Sequence, residues 1–139
     1  IAANPFWAAA DADPAKARRG ILRHNLAGGP GAEIVPALLD ARDVVVRGKK
    51  RYSSFQGTDL EFVLHRLGAD TVVLAGINTT TCVLCAAFEA TNRDFRVVIA
   101  AEAVDSMDGE DMHAFALRLM AAAVGWPLDS AAILRGLGA

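Results

Sequence analysis

Gly76-Ile77-Asn78-Thr79-Thr80-Thr81-Cys82-Val83 is the stretch on which the reading of this chain turns. Just before it, Thr71-Val72-Val73-Leu74-Ala75 is apolar and β-branched, the composition of a buried strand. After it, Val83, Leu84, Ala86, Ala87, Phe88 and Ala90 are apolar almost all round a helix, so a deeply buried helix is expected. A glycine-marked turn and three threonines able to cap a helix put Cys82 in that helix's first turn. First-turn amides have no intrahelical acceptors and the helix dipole is positive there, which favours a thiolate. A thiolate near neutral pH is the nucleophile that acyl transfer requires.

Other roles for the sulfur stay open at this point. A free cysteine is more often a small buried hydrophobe than a reagent. Cys82-Val83-Leu84-Cys85 also has the spacing of a thioredoxin-type redox pair, which opens a helix after a strand. The turn-forming residue of such pairs is absent, however, and Val-Leu suits a helix interior, so Cys85 is expected to pack in the core. Zinc is not expected, because no second cysteine pair or histidine cluster completes four ligands.

Composition bounds the rest. A chain of 139 residues, 53% hydrophobic, has the length of one domain and can bury a core. Its apolar runs are short and broken by charges, so none reads as a membrane span. A net charge of −2 with three scattered histidines gives no reason to expect a nucleic acid or an anionic membrane as partner. Two cysteines at i and i+3 do not make a disulfide scaffold, which fits a reducing, cytoplasmic setting.

Along the chain, residues 1 to 31 show turn signals and no clear period. Ile34-Val35 before Pro36-Ala37-Leu38-Leu39 predicts a short helix with proline first, and Asp43-Val44-Val45-Val46 a strand over 43–47. A basic and aromatic loop follows, Arg47-Gly48-Lys49-Lys50-Arg51-Tyr52-Ser53-Ser54-Phe55. Thr58-Asp59-Leu60-Glu61 is a capping box, and Leu60, Val63, Leu64 and Leu67 form a helical stripe ending at Gly68. Strands are predicted at 71–76 and 95–101, with a short fourth near Trp126 to Leu128. Met112, Phe115, Ala116, Leu119 and Ala123 predict a helix with Asp108 as N-cap, and a last helix starts at Asp129 or Ser130. Strands alternating with helices mean parallel β-α-β units, a three-layer α/β arrangement, with ligands bound beyond the strands' carboxyl ends. No glycine-rich phosphate signature is present, so no cofactor is expected.

Taken together, these segments resemble the isochorismatase-like cysteine hydrolases. The likeness rests on Lys49 three residues before Tyr52-Ser53-Ser54-Phe55-Gln56-Gly57-Thr58-Asp59-Leu60, and on the Gly76 to Val83 stretch, in that order. Gly31-Ala32-Glu33-Ile34-Val35-Pro36 adds to it, and the resemblance runs from about residue 28 to the C-terminus of a single domain, 1–139. The resemblance implies that Cys82 attacks a carbonyl carbon to give a thioester that water hydrolyses. It implies that Lys49 favours the thiolate and that the backbone amides of Asn78 and Cys82 form an oxyanion hole entered through a cis Ile77–Asn78 peptide. Lys50 is out of step with Tyr52 by one residue, and Tyr52 itself is a candidate substrate contact. The family's third catalytic group, an Asp ending an opening strand, has no counterpart before Lys49: Asp11 and Asp13 lie in an alanine-rich polar segment. An Asp-x-His-x-His metal cluster is absent too.

The expectation is therefore the later part of a family member, lacking the opening strands. Its implied activity is hydrolysis of small amide or carbamoyl compounds, weak or absent in this chain alone for want of the acid, with self-association of a homo-oligomeric kind. Cleavage of an isochorismate-like vinyl ether, a non-catalytic assembly subunit and a Cys82/Cys85 thiol–disulfide protein are the competing readings. Glu102 is the one substitute acid to consider.

Overall fold

A computed structural model describes residues 29–138 of the chain. The chain divides into two compact units, Ile1–Val45 and Val46–Ala139. Phe6, Trp7, Asp11, Asp13 and the basic residues from Lys16 to Arg23 lie outside the described residues.

In the first unit, two single turns of 3₁₀ helix, Pro30–Ala32 and Pro36–Leu38, each carry proline at the first position. Proline's fixed φ suits that position and its missing N–H is not needed there. The strand expected at 43–47 does not form. Asp40 and Asp43 instead close a local turn, with Asp40 N donating to Asp43 Oδ2 at 2.7 Å and Asp43 N donating to Asp40 O at 3.1 Å. A β-branched run becomes a strand only when a neighbour supplies its ladder, and this run has none among the described residues.

The second unit is an α/β fold. Helix α1 (Leu60–Arg66) precedes strand β1 (Thr71–Ile77), then comes a π-helical turn (Thr79–Val83) running into helix α2 (Leu84–Thr91). Strand β2 (Arg96–Asp105), helix α3 (Glu110–Ala123), strand β3 (Trp126–Leu128) and helix α4 (Ser130–Leu137) complete it. The sheet order is β1-β2-β3, and both pairings are parallel. β2 is central and buried on both faces, Val97, Ile99 and Ala100 all being core, so it carries the near-continuous apolar run of such strands. β1 is different: Val72 and Leu74 pack on the core, while Val73 is 46% and Ile77 65% exposed.

The register between β1 and β2 runs from Thr71↔Arg96 to Leu74↔Ile99 and resumes at Gly76↔Val104 and Ile77↔Asp105. Across that break β1 advances two residues and β2 five, so β2 bulges before it rejoins the ladder. Gly76 sits at the break with φ 104°, a value that L side chains rarely adopt.

Several helices differ from the sequence reading in how they are capped or turned. The Thr58–Glu61 capping box is not made: Thr58 Oγ1 donates to Ser54 O at 2.6 Å, and Glu61 accepts from Arg93 Nε at 2.8 Å. Helix α3 starts at Gly109 without a side-chain cap, because Asp108 is engaged elsewhere. Its buried stripe is Ala116, Leu117, Met120 and Val124, while Met112 and Phe115 are exposed. Helix α2 buries Ala86, Ala87 and Ala90 but leaves Phe88 at the surface, so it is two-faced rather than buried all round. Asp129 caps α4 as expected, accepting from Ala132 N at 2.6 Å. No helix among the described residues is long and apolar enough to cross a membrane.

Candidate active site

The loop from Gly48 to Asp59 is built by its own hydroxyls. Ser53 is buried, and its Oγ accepts from Phe55 N at 3.1 Å and Gln56 N at 2.8 Å. Thr58 Oγ1 bonds Ser54 O and Phe55 O and in turn accepts from Leu60 N at 3.3 Å. These are the local side-chain to backbone bonds that let Ser and Thr hold an irregular loop in one shape. The turn at Gly48 lies against the rest of this loop so closely that a Cβ there would meet Gly57 O at 3.3 Å. The residue next to that contact is Lys49. Phe55 closes the loop onto the core, stacked on Phe95 with ring centroids 6.4 Å apart and under the Arg93 guanidinium at 4.7 Å.

At the other side of the site, β1 ends in Gly76 and the Ile77–Asn78 peptide bond, which is cis. The chain then turns in a wide π-helical loop: Asn78 O accepts from Thr81 N at 3.2 Å and from Val83 N at 3.1 Å. Cys82 is therefore in a π turn ahead of α2 rather than in the first turn of a regular α-helix. Such turns are rare and concentrate at functional positions. Two consecutive threonines fix it. Thr79 is 0% exposed, and its Oγ1 lies 3.0 Å from Nδ1 of His113 on α3. Thr80 Oγ1 donates to Asp108 Oδ2 at 2.5 Å and lies 2.9 Å from Ser106 Oγ, both in the segment after β2. The bulge in β2 precedes that segment in the chain.

The two halves meet at the thiol. Lys49 Nζ stands 3.6 Å from Cys82 Sγ and donates its other bond to Arg51 O at 2.7 Å. Among the described residues no carboxylate pairs with Lys49. Glu102, the possible substitute acid, is exposed and accepts from Ser130 N at 3.1 Å, at the start of α4. Tyr52 is half exposed, three residues after Lys49. Cys85 is a second free thiol, and burial pushes its pKa up, with the Glu89 carboxylate and Cys82 adding to the rise and Lys49 opposing it. Asn78 Oδ1 is buried and has no hydrogen-bond partner among the described residues. The described residues contain no group of three or more His, Cys, Asp or Glu placed to hold a metal ion. A separate apolar groove of about 300 Å³ lies along the start of β1, lined by Phe55, Leu60, Leu64 and Val72 among others, and includes neither Lys49 nor Cys82.

His113 and the Thr80–Asp108 contact are the parts that sequence reasoning missed. A signal for His113 was present: it heads the stripe 113, 116, 117, 120, 124, which is the face α3 turns inward.

The profile of the isochorismatase domain family matches residues 6–132. The chain belongs to the isochorismatase family. An isochorismatase family protein of uncharacterised activity, PncA of Bacillus subtilis (strain 168), is 38% identical over 109 residues, 73% of this chain and 59% of its own length. Ureidoacrylate amidohydrolase RutB of Methylobacterium radiotolerans is 33% identical over 105 residues, 76% of this chain and 41% of its own length. The crystal structure of nicotinamidase PncA from Bacillus subtilis superposes with a TM-score of 0.69 at 34% identity, covering 77% of this chain and 62% of that one. This isochorismatase-family chain thus spans between about two fifths and three fifths of the relatives it matches.

Proposed function

We propose that this chain carries the nucleophile and its cation for a cysteine hydrolase of small amide or carbamoyl compounds. The observation that carries the reading is Lys49 Nζ at 3.6 Å from Cys82 Sγ, a cation facing a thiol in the turn between a parallel strand and its helix. In this reading the Cys82 thiolate attacks the carbonyl carbon, forming a C–S bond and a tetrahedral oxyanion. The amides of Asn78 and Cys82 receive that oxyanion; donors aimed at developing charge are worth a few kcal/mol each. The amine leaves with the C–N electron pair and one proton, and water then hydrolyses the thioester to the acid and the free thiol.

The amine needs its proton from an acid, and no carboxyl group bonds Lys49 or Cys82 among the described residues. General acid–base help contributes roughly 10²–10⁴-fold. The chain is therefore expected to be acylated readily by substrates with good leaving groups and to turn over amides weakly. Incubation with small primary amides and with an activated ester, followed by intact mass and product assay, tests this against a Cys82→Ala control. An acyl adduct on the wild-type chain alone supports the reading, and its absence sinks it. A reducing, cytoplasmic setting belongs to the same reading, since a thiol nucleophile persists there. So does association with further copies, supported by the exposed Val73 and Ile77 on β1 and measurable by sedimentation velocity.

A further inference from the structure

The bond between Thr79 and His113 is placed where it can act on the chemistry. Thr79 lies between Asn78 and Cys82, the two residues whose amides bracket the nucleophile in the reading above. Its hydroxyl is fully buried and reaches across 34 residues of sequence to a histidine in the first turn of α3. The backbone bonds of the π turn include Asn78 O with Thr81 N and Val83 N, and Thr79 O with Leu84 N, and side chains from outside add to their grip. The other grip, Thr80 to Asp108 and Ser106, comes from the segment just before the same helix. Among the described residues the hydrogen bond of His113 goes to Thr79 and not to Cys82 or Lys49, so any effect on the thiol passes through Thr79.

We infer that His113 is a positioning residue for acyl transfer: through the Thr79 hydroxyl it fixes the Asn78–Cys82 turn so that its amides face the developing oxyanion. The inference rests on the hydrolase reading and deepens it. It makes a specific separation. Alkylation of Cys82 by iodoacetamide displaces iodide at carbon and builds no oxyanion, so it reports the thiolate alone. Acylation by p-nitrophenyl acetate passes through a tetrahedral oxyanion, after which the C–O bond breaks and p-nitrophenolate leaves with the electron pair. That step reports the thiolate and the amides together.

The test measures both rates on the full chain for wild type, Cys82→Ala, His113→Leu, His113→Asn and Thr79→Val, with circular dichroism to establish that each is folded. Thr79→Val keeps the shape of the residue and removes the hydroxyl, so it serves if His113→Leu fails to fold. The expected result is an acylation rate reduced about tenfold or more in His113→Leu and Thr79→Val, with Cys82 alkylation within about twofold of wild type. His113→Asn, whose amide reaches the position of Nδ1, is expected to recover acylation to within about threefold of wild type. Unchanged acylation in a folded variant, or an equal fall in both rates, overturns the inference and leaves the hydrolase reading standing. A wild-type chain with no Cys82-dependent nitrophenolate release overturns both.

Discussion

Two lysines stand side by side in the loop after Gly48, and one of them meets the thiol. Lys49 reaches Cys82 while Lys50 does not, because neighbouring residues in an extended stretch face opposite sides. Lys49→Met is expected to slow alkylation of Cys82 at pH 7 by about tenfold, as the loss of a partly exposed cation at this distance would do. Lys50→Met is expected to change it less than twofold, and rates by iodoacetamide quench and mass mapping decide it. Equal effects would mean that bulk charge, not the Lys49 contact, sets the rate. Cys85 offers the internal comparison. Burial holds its pKa above the ordinary thiol value, so its thiolate appears only as pH climbs. Peptide mapping after limited alkylation should show Cys82 labelled first at neutral pH and Cys85 gaining only in alkaline solution.

The elements rest on contacts that can be removed one at a time. Gly125 joins α3 to β3, and a Cβ there would lie 2.6 Å from Val97 O and 3.0 Å from Ile99 Cδ1. Backbone cannot yield as a flexible side chain does, so Gly125→Ala is expected to cost about 1–3 kcal/mol in urea unfolding. Met120→Ala, which empties a fully buried position on α3, is expected to cost about 2–5 kcal/mol. The start of the β1–β2 ladder is tied by Arg96, whose Nη2 pairs with the Asp70 carboxylate and whose Nε donates to Thr71 Oγ1 at 3.0 Å. The Arg96 bond, then the Thr71 bond, hold the Asp70 pKa below its ordinary value. A depressed carboxylate contributes stability above its unfolded pKa and loses it as pH falls through the folded one. Asp70→Asn is therefore expected to lower Tm at pH 7 and to converge with wild type below the ordinary aspartate range. A gap that persists at about pH 2 would assign the effect to packing instead.

How much of this was legible in the sequence differs by element for physical reasons. The strands at Thr71–Ile77, Arg96–Asp105 and Trp126–Leu128 and their parallel pairing follow from apolar runs spaced by helices, and β-branched runs that find a neighbour need nothing more. Asp43–Val46 has the same composition and no ladder, since composition cannot report whether a partner strand is there. Two expected helix caps failed alike: Glu61 went to Arg93 and Asp108 to Thr80, long-range partners that no local pattern shows. At the site, the meeting of Lys49 and Cys82 followed the order and spacing of two motifs. His113 did not, because a polar residue at the head of an apolar stripe reads as surface until its buried partner is known.

At the scale of the whole molecule, the side chains that bond Thr79 and Thr80 among the described residues all come later in the chain than the Cys82 turn itself. Ser106, Asp108 and His113 all follow it, the last by 34 residues from Thr79. A chain is made in one direction, at roughly 5–20 residues per second. About 2–7 s of synthesis therefore separate Thr79 from the residue that clamps it. During that interval the turn lacks the Thr79–His113 bond, so the amides that bond would hold in place are not yet fixed. Ribosome-bound chains stalled at increasing lengths should show Cys82 acylated slowly by p-nitrophenyl acetate until His113 has emerged from the exit tunnel, and at the folded chain's rate thereafter, with alkylation changing far less. In this chain the nucleophile is made first, and the residues that hold the amides beside it are made later.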